Sequence, residues 1–363
     1  MSAAPLESWR LYFPTAAALA VAGLAAWGAQ LAGVPLGLLP GDHASFMLWG
    51  VMGAGVQGFL LTAYAKQNGA PLPARGTLLT LLSAHLVASA VLLLRPPIPA
   101  PLAAVLAALP WAGLLAWAAP VARTSLRNRW DPTTAAVPVA LLGALLGVFL
   151  HVLGTARPRG IELGVHVFLV PMALAILDRI LPFFSSRTPG YAGGRRPYFL
   201  GPLLALSWLK VLAPLAVPAL TPFVNAALVL LLVRQWWGWR PWPAARTPMI
   251  GILHVGVGWF VVAWLLEVVG APRSASLHAL LVGGLGALLL GISMRVARGH
   301  SGLPVVVGWA GAAVLVLAQL AAMGRVWAGL GAVSPLVLVV SAVLLASAFV
   351  VWLVRFLPVA VRR

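Results

Sequence analysis

The sequence has no cysteine, and only six of its 363 residues are Asp or Glu. The first absence excludes disulfides, thiolate metal sites, iron–sulfur clusters and covalently attached c-type haem. Any metal must then be held by nitrogen or oxygen. The second absence leaves little charge to hydrate a surface. Charged residues make up 8% of the chain, against roughly a quarter in a soluble domain, so no sizeable soluble domain fits.

What is present is apolar: 62% of residues are hydrophobic and the mean hydropathy is +1.00. The 24 Lys and Arg give a net charge of +18 and a pI near 12.0. Nucleic-acid binding needs such charges clustered on one hydrated face, whereas these are scattered between apolar runs. A span takes about 20 apolar residues, or about 30 with its connection, which leaves room for about twelve helices. Windows bounded by Pro, Gly and Arg place them near 15–36, 44–65, 76–94, 99–121, 135–155, 162–183, 199–214, 219–234, 248–269, 276–295, 303–323 and 333–357. The seventh and eighth are short and carry Pro214, Pro218 and Pro222 between them, so one broken helix is an alternative. Glu7 and Arg10 precede the first run and no small-residue cleavage site follows it, so it reads as a span, not a signal peptide. The whole chain, 1–363, reads as a single all-α transmembrane domain, a polytopic bundle.

With twelve spans both termini share a side, and that side collects 18 of the 24 basic residues. The other side holds Arg95, Arg157, Arg159, Lys210, Arg273 and Arg325. Short Arg-rich loops stay in the cytoplasm during insertion, so both termini are expected there. This gives the seven histidines depths. His43, His151, His166 and His278 fall towards the outer face, His85 lies mid-span, and His254 and His300 fall towards the cytoplasm.

Imidazole is costly in lipid, so each histidine should face the bundle interior and find a partner. For any one of them a helix-to-helix hydrogen bond suffices. Four at one depth, in a chain without thiols, point to haem, copper or both. His151 and His166 sit at similar distances from the short turn at 155–160 and could approach each other. Asp42, Glu162 and Glu267 lie near outer helix ends, as salt-bridge partners of Arg157, Arg159 or Arg273 or as supports of a metal histidine. Asp178, beside Arg179, reads as a local ion pair. The sixteen Trp map chiefly to helix ends, as interfacial anchors. Gly50, Gly53, Gly55 and Gly58, and Gly283, Gly284, Gly286 and Gly291, give the second and tenth spans smooth faces for close packing or for a flat macrocycle.

Four segments resemble the NnrS family of bacterial membrane proteins. LHALLVGGLGALLLGISMRVARGHSGLP, Leu277 to Pro304, is similar to a histidine-led helix ending in Arg and a G-H-[ST]-G turn, with His278, Arg295, Gly299, His300, Ser301, Gly302 and Pro304 matching. HASFMLWGVMGAGVQGFLLTA matches at His43, Met47, Gly50 and Gly58 to Ala63, with Ser45 and Phe46 where the family has a second histidine and a glutamate. DRILPFF, with Arg179, Pro182 and Phe183, and ILHVGVGWF, with His254, complete the set. The resemblance implies a haem- and copper-containing protein of the bacterial cytoplasmic membrane, linked to nitric-oxide stress and denitrification. On that footing His43 and His278 are candidate haem or metal ligands, His151 and His166 a second metal pair, and His254 a further metal candidate. Arg295 and His300 would support the cofactor at the inner face. The haem would be of b type or another non-covalent kind, and a respiratory electron donor or a nitric-oxide reductase would be the partner, alongside membrane lipid and without nucleic acid. The architecture is loosely similar to the large subunit of haem-copper oxidases, but H-x-H on the tenth span and an adjacent His pair on the seventh are both missing, so no binuclear oxygen-reducing centre is expected. A transporter conducting protons or substrate along a His-lined path, and a non-catalytic metal or assembly factor for a reductase, stay open. So does the question of whether the protein is an enzyme.

Overall fold

The computed structural model describes residues 6–154, 156–331 and 334–361. Thr155 in the expected turn, Val333 at the start of the twelfth window, and Arg362 and Arg363 of the charge count lie outside the described residues. Twelve apolar helices follow one another, with no strand among the described residues. They are α1 (Trp9–Leu31), α2 (Pro40–Gln67), α3 (Arg75–Leu94), α4 (Ala100–Asn128), α5 (Pro132–Leu153) and α6 (Arg157–Ser185). Next come α7 (Leu200–Ala216), α8 (Pro218–Gly238), α9 (Pro248–Val268), α10 (Arg273–His300), α11 (Gly308–Leu330) and α12 (Pro335–Val361). Eleven are long and apolar enough to span a membrane, and α7, with 17 residues, is the shorter one. The protein is an integral, multi-pass membrane protein.

Local chemistry sets the boundaries. Proline opens α2, α5, α8, α9 and α12, where its missing N–H is no loss. The Asp131 side chain accepts from the Thr134 amide at 3.1 Å and caps α5, and Gly154, at φ +79°, ends it in the left-handed conformation. Between α7 and α8 the chain leaves helical geometry at Val217 (φ −142°, ψ 80°) and re-enters through a 3₁₀ turn at Pro218–Leu220. The proline-rich stretch therefore joins two helices packed on each other.

The chain groups into two compact units. The first comprises residues to Gly23, Leu38–Met172 and the segment from Leu357; the second comprises Leu24–Gly37 and Ala173–Phe356. In the first, α5 and α6 cross almost backbone to backbone: a Cβ on Gly160 would lie 2.6 Å from the Gly147 carbonyl oxygen and 2.7 Å from the His151 nitrogen. In the second, α9 and α10 cross in the same way at Gly256 and Gly284.

Three helices depart from α geometry in their interiors. α2 has π-helical turns at Phe46–Met52 and Leu60–Tyr64, α6 at Leu163–Leu169 and α10 at Ala279–Gly286. The same three are the most buried spans, at 78%, 83% and 67% of their apolar windows, against at most 56% elsewhere. Each also carries a histidine beside or within its first π turn: His43, His166 and His278. Wide π turns inside long helices are frequent at functional sites.

Candidate functional site

In the first unit the start of α2 is locked by one carboxylate. Asp42 Oδ2 accepts from the Leu39 amide at 2.9 Å and from Arg95 Nη1 at 3.0 Å. His43, half-buried, follows it. Gly41 reaches the end of α5, where its missing Cβ would stand 3.8 Å from His151 Cε1, and the Trp49 and His151 rings pack with centroids 5.5 Å apart. His166 Nε2 is 3.2 Å from Glu162 Oε2, one turn earlier on α6. His151 and His166 are not level, however. Gly160 faces His151, and six further residues along α6 put His166 about 9 Å deeper.

Hydrogen bonding fixes ring protons where the partner can act in only one sense. A carbonyl only accepts, so His151 Nδ1, 3.2 Å from the Arg157 carbonyl, carries the proton. Its Nε2 keeps the lone pair in the neutral ring. His278 is set twice. Nδ1 donates to the Ser274 carbonyl at 2.7 Å, and Nε2 accepts from Arg325 Nη2 at 2.9 Å. That is the neutral tautomer with an Nε2 lone pair which a metal-ligating histidine needs, oriented by a backbone carbonyl.

His85 and His254 take the opposite arrangement. His85 Nε2 donates to the Gly50 carbonyl at 2.9 Å, so its Nδ1 accepts from the Gln57 amide at 2.8 Å and both nitrogens are spent on protein. His254 Nδ1 accepts from Trp236 Nε1 at 3.1 Å. Its proton is therefore on Nε2, which is buried without a partner among the described residues. Ligation through that nitrogen would require moving the proton to Nδ1 and losing the Trp236 bond.

Arg295 and His300 lie on the same helix as His278 but at its far end. His300 is the last, exposed residue of α10, not a loop residue. The Arg295 guanidinium sits 3.9 Å from the Phe184 ring centroid, a cation–π contact. Seventeen residues of helix separate it from His278, about 26 Å. One macrocycle could not touch both, so these residues and His278 cannot serve a single cofactor.

Two carboxylates bond to partners beyond the expected arginines. Glu267 pairs with Lys210, whose Nζ also donates to Asn225 Oδ1 at 2.6 Å. Lys210 is therefore no loop charge but a buried cation joining α7, α8 and α9. Asp178 accepts from Arg195 Nε at 2.7 Å and from Gln235 Nε2 at 2.9 Å, and Gln235 Oε1 in turn accepts from the Arg196 amide at 3.2 Å. This ties the loop after α6 to α8. Trp9, Trp49, Trp111, Trp239, Trp264 and Trp352 are fully buried in the core, while Trp130, Trp237, Trp242, Trp309 and Trp327 remain exposed, as interfacial anchors would be. The glycine faces are filled by protein: a Cβ at Gly53 would meet Trp111, at Gly58 Tyr12 and Phe13, at Gly283 Trp259, at Gly284 Phe260 and at Gly291 Ile252.

Among the described residues no three His, Asp or Glu side chains gather as a metal-ligating group. The fit to a metal or haem rests instead on single histidines with a fixed tautomer. Arg325, the partner of His278, and the Lys210 pair are absent from the sequence-level candidates. The signal that could have found them is an ionisable residue inside an apolar window.

Fold and site define a polytopic helical membrane protein with partnered histidines in its most buried spans. A match to the family described as NnrS protein extends over residues 6–363, and the chain belongs to the NnrS family. A comparison with curated proteins found no match.

Proposed function

We propose that the protein binds haem, with copper as a second metal, through histidines of its buried spans, and acts in the nitric-oxide stress response and denitrification in the bacterial cytoplasmic membrane. Membership of the NnrS family makes it a membrane protein related to nitric-oxide stress. The observation that carries the finer reading is the shared tautomer of His151 and His278, whose Nδ1–H groups are held by backbone carbonyls, so that the Nε2 lone pair of His151 is left for a ligand and that of His278 faces Arg325. His43, three residues before the first π segment, and His166, held by Glu162, are the other candidate ligands. When bound at these residues, haem or copper supplies a metal centre able to coordinate nitric oxide. Arg295 and His300 then belong to a separate contact at the other end of α10.

A histidine-lined conducting path has weaker support, because mid-span His85 has both nitrogens bonded to Gly50 and Gln57. Purification from cells supplied with haem and copper, followed by optical spectra and metal analysis, tests the proposal. A Soret band that shifts or disappears in His278→Gln or His151→Gln is the expected result. A well-folded preparation without haem overturns it. Consumption of nitric oxide by the purified protein separates an enzyme from a metal-delivery or assembly role.

A further inference from the structure

Two arginines gather where the ends of α6 and α10 meet. The Arg295 guanidinium stands 3.9 Å from the Phe184 ring centroid, and Arg187, three residues on from Phe184, is the charged neighbour that acts on it. Arg295 is half-buried and Arg187 exposed. Neither meets a carboxylate or donates a hydrogen bond among the described residues. A guanidinium presents five N–H donors and keeps its proton even when buried. α6 ends at Ser185, between Phe184 and Arg187, and the carbonyl end of a helix supplies only about half a negative charge. Two guanidiniums exceed that.

Hydroxyls at the same helix end are short of acceptors too. Ser185 is fully buried, and its hydroxyl and the Tyr191 phenol are neighbours, yet neither completes a hydrogen bond among the described residues. Phosphate oxygens are acceptors, and a guanidinium fork engages two of them at once. Depth and shape narrow the source of the phosphate. α10, with 28 residues, is about 42 Å long, close to a bilayer with its headgroups, and Arg295 lies about 8 Å inside its end, where headgroup meets hydrocarbon. The Phe184 ring touches Phe183, centroids 5.7 Å apart, and Phe183 is 71% exposed. At that depth an exposed ring lies against acyl chains. Cation, stacked ring and lipid-facing ring thus form one row, which a phospholipid uses in full and a free phosphate only in part.

We infer that Arg295 and Arg187 form a binding site for the phosphate of an anionic phospholipid, with Phe184 holding the Arg295 guanidinium and Phe183 lying along an acyl chain. The site goes beyond the metal reading and does not depend on it, since it lies at the opposite end of α10 from His278.

Native mass spectrometry of the full-length protein in neutral detergent, titrated with phosphatidylglycerol and with phosphatidylcholine of the same acyl chains, reads the affinity for the first bound lipid. The wild type is expected to prefer the anionic lipid by about tenfold or more, as for a charged hydrogen-bonded contact. In Arg187→Gln/Arg295→Gln the preference falls to about one. Arg123→Gln/Arg127→Gln, which removes two exposed charges from α4, keeps the wild-type preference. Arg187→Lys/Arg295→Lys keeps both charges without the forks and gives a value between, which keeps the test decisive if the Gln variant does not fold. A wild-type preference of one overturns the site, and so does a preference unchanged in both Arg187/Arg295 variants. An equal fall in the α4 variant assigns the preference to diffuse charge and overturns it as well. Inorganic phosphate at millimolar concentration is the last arm: if it displaces phosphatidylglycerol from the wild type, the ligand is free phosphate and the lipid reading fails.

Discussion

Lys210→Met would break the one buried Lys–Glu pair among the described residues. The side chains of Lys210 and Glu267 are 6% and 18% exposed, and Asn225 is buried beside them. Removing one partner of a buried pair costs about 3–5 kcal/mol, because the other charge stays behind unpaired. The residual exposure of Glu267 puts the loss at the lower end, about 3 kcal/mol. Replacing both charges removes the orphan, so Lys210→Met/Glu267→Met should unfold within about 1 kcal/mol of the wild type, as apolar replacements of buried pairs do. Glu267→Met strands Lys210 in the same way, so the single and double variants together predict a coupling of more than about 2 kcal/mol between neighbours. Equilibrium unfolding in mixed micelles of mild detergent and dodecyl sulfate, followed by tryptophan fluorescence, measures it. If the two single variants and the double variant are additive to within about 0.5 kcal/mol, the pair contributes no specific energy and the reasoning fails.

Three further outcomes follow from other contacts. Gly160→Ala puts a methyl against the Gly147 carbonyl and the His151 backbone, where nothing flexible can give way; a loss of about 1–3 kcal/mol is expected by the same unfolding assay, with perturbation of any His151-dependent spectrum. Gln57→Leu removes the donor to His85 Nδ1 and leaves a buried acceptor unmade, at about 1–3 kcal/mol, and Gln57→Leu/His85→Leu should recover part of it. Asp178→Asn withdraws the charge from Arg195 and faces an amide N–H towards a donor; trypsin should then cut after Arg195 about tenfold faster, since loop opening governs such cleavage.

The number of apolar helices was legible because hydropathy is additive along a window and needs no knowledge of neighbours. Twelve windows correspond to twelve helices, with the short seventh at Leu200–Ala216. Depth was legible only coarsely. His151 and His166 are similarly distant from the 155–160 turn in sequence, yet α6 begins at Arg157 and carries His166 past the level of His151. Partners were the least legible. Asp42 and Glu267 were expected to meet Arg157, Arg159 or Arg273, but they meet Arg95 and Lys210. Pairing depends on the rotational phase of each helix, and a sequence read at 3.6 residues per turn loses that phase wherever a π turn adds a residue.

The sequence by itself determined that this chain lives in a membrane, crosses it many times, and must bind any metal without thiols, since composition fixes those properties residue by residue. Tertiary structure decided which ring nitrogen of each histidine keeps its lone pair. It also decided that Arg325, which meets no carboxylate among the described residues, faces His278. A ring proton follows the atom opposite it, and that atom is supplied by packing between segments far apart in the chain.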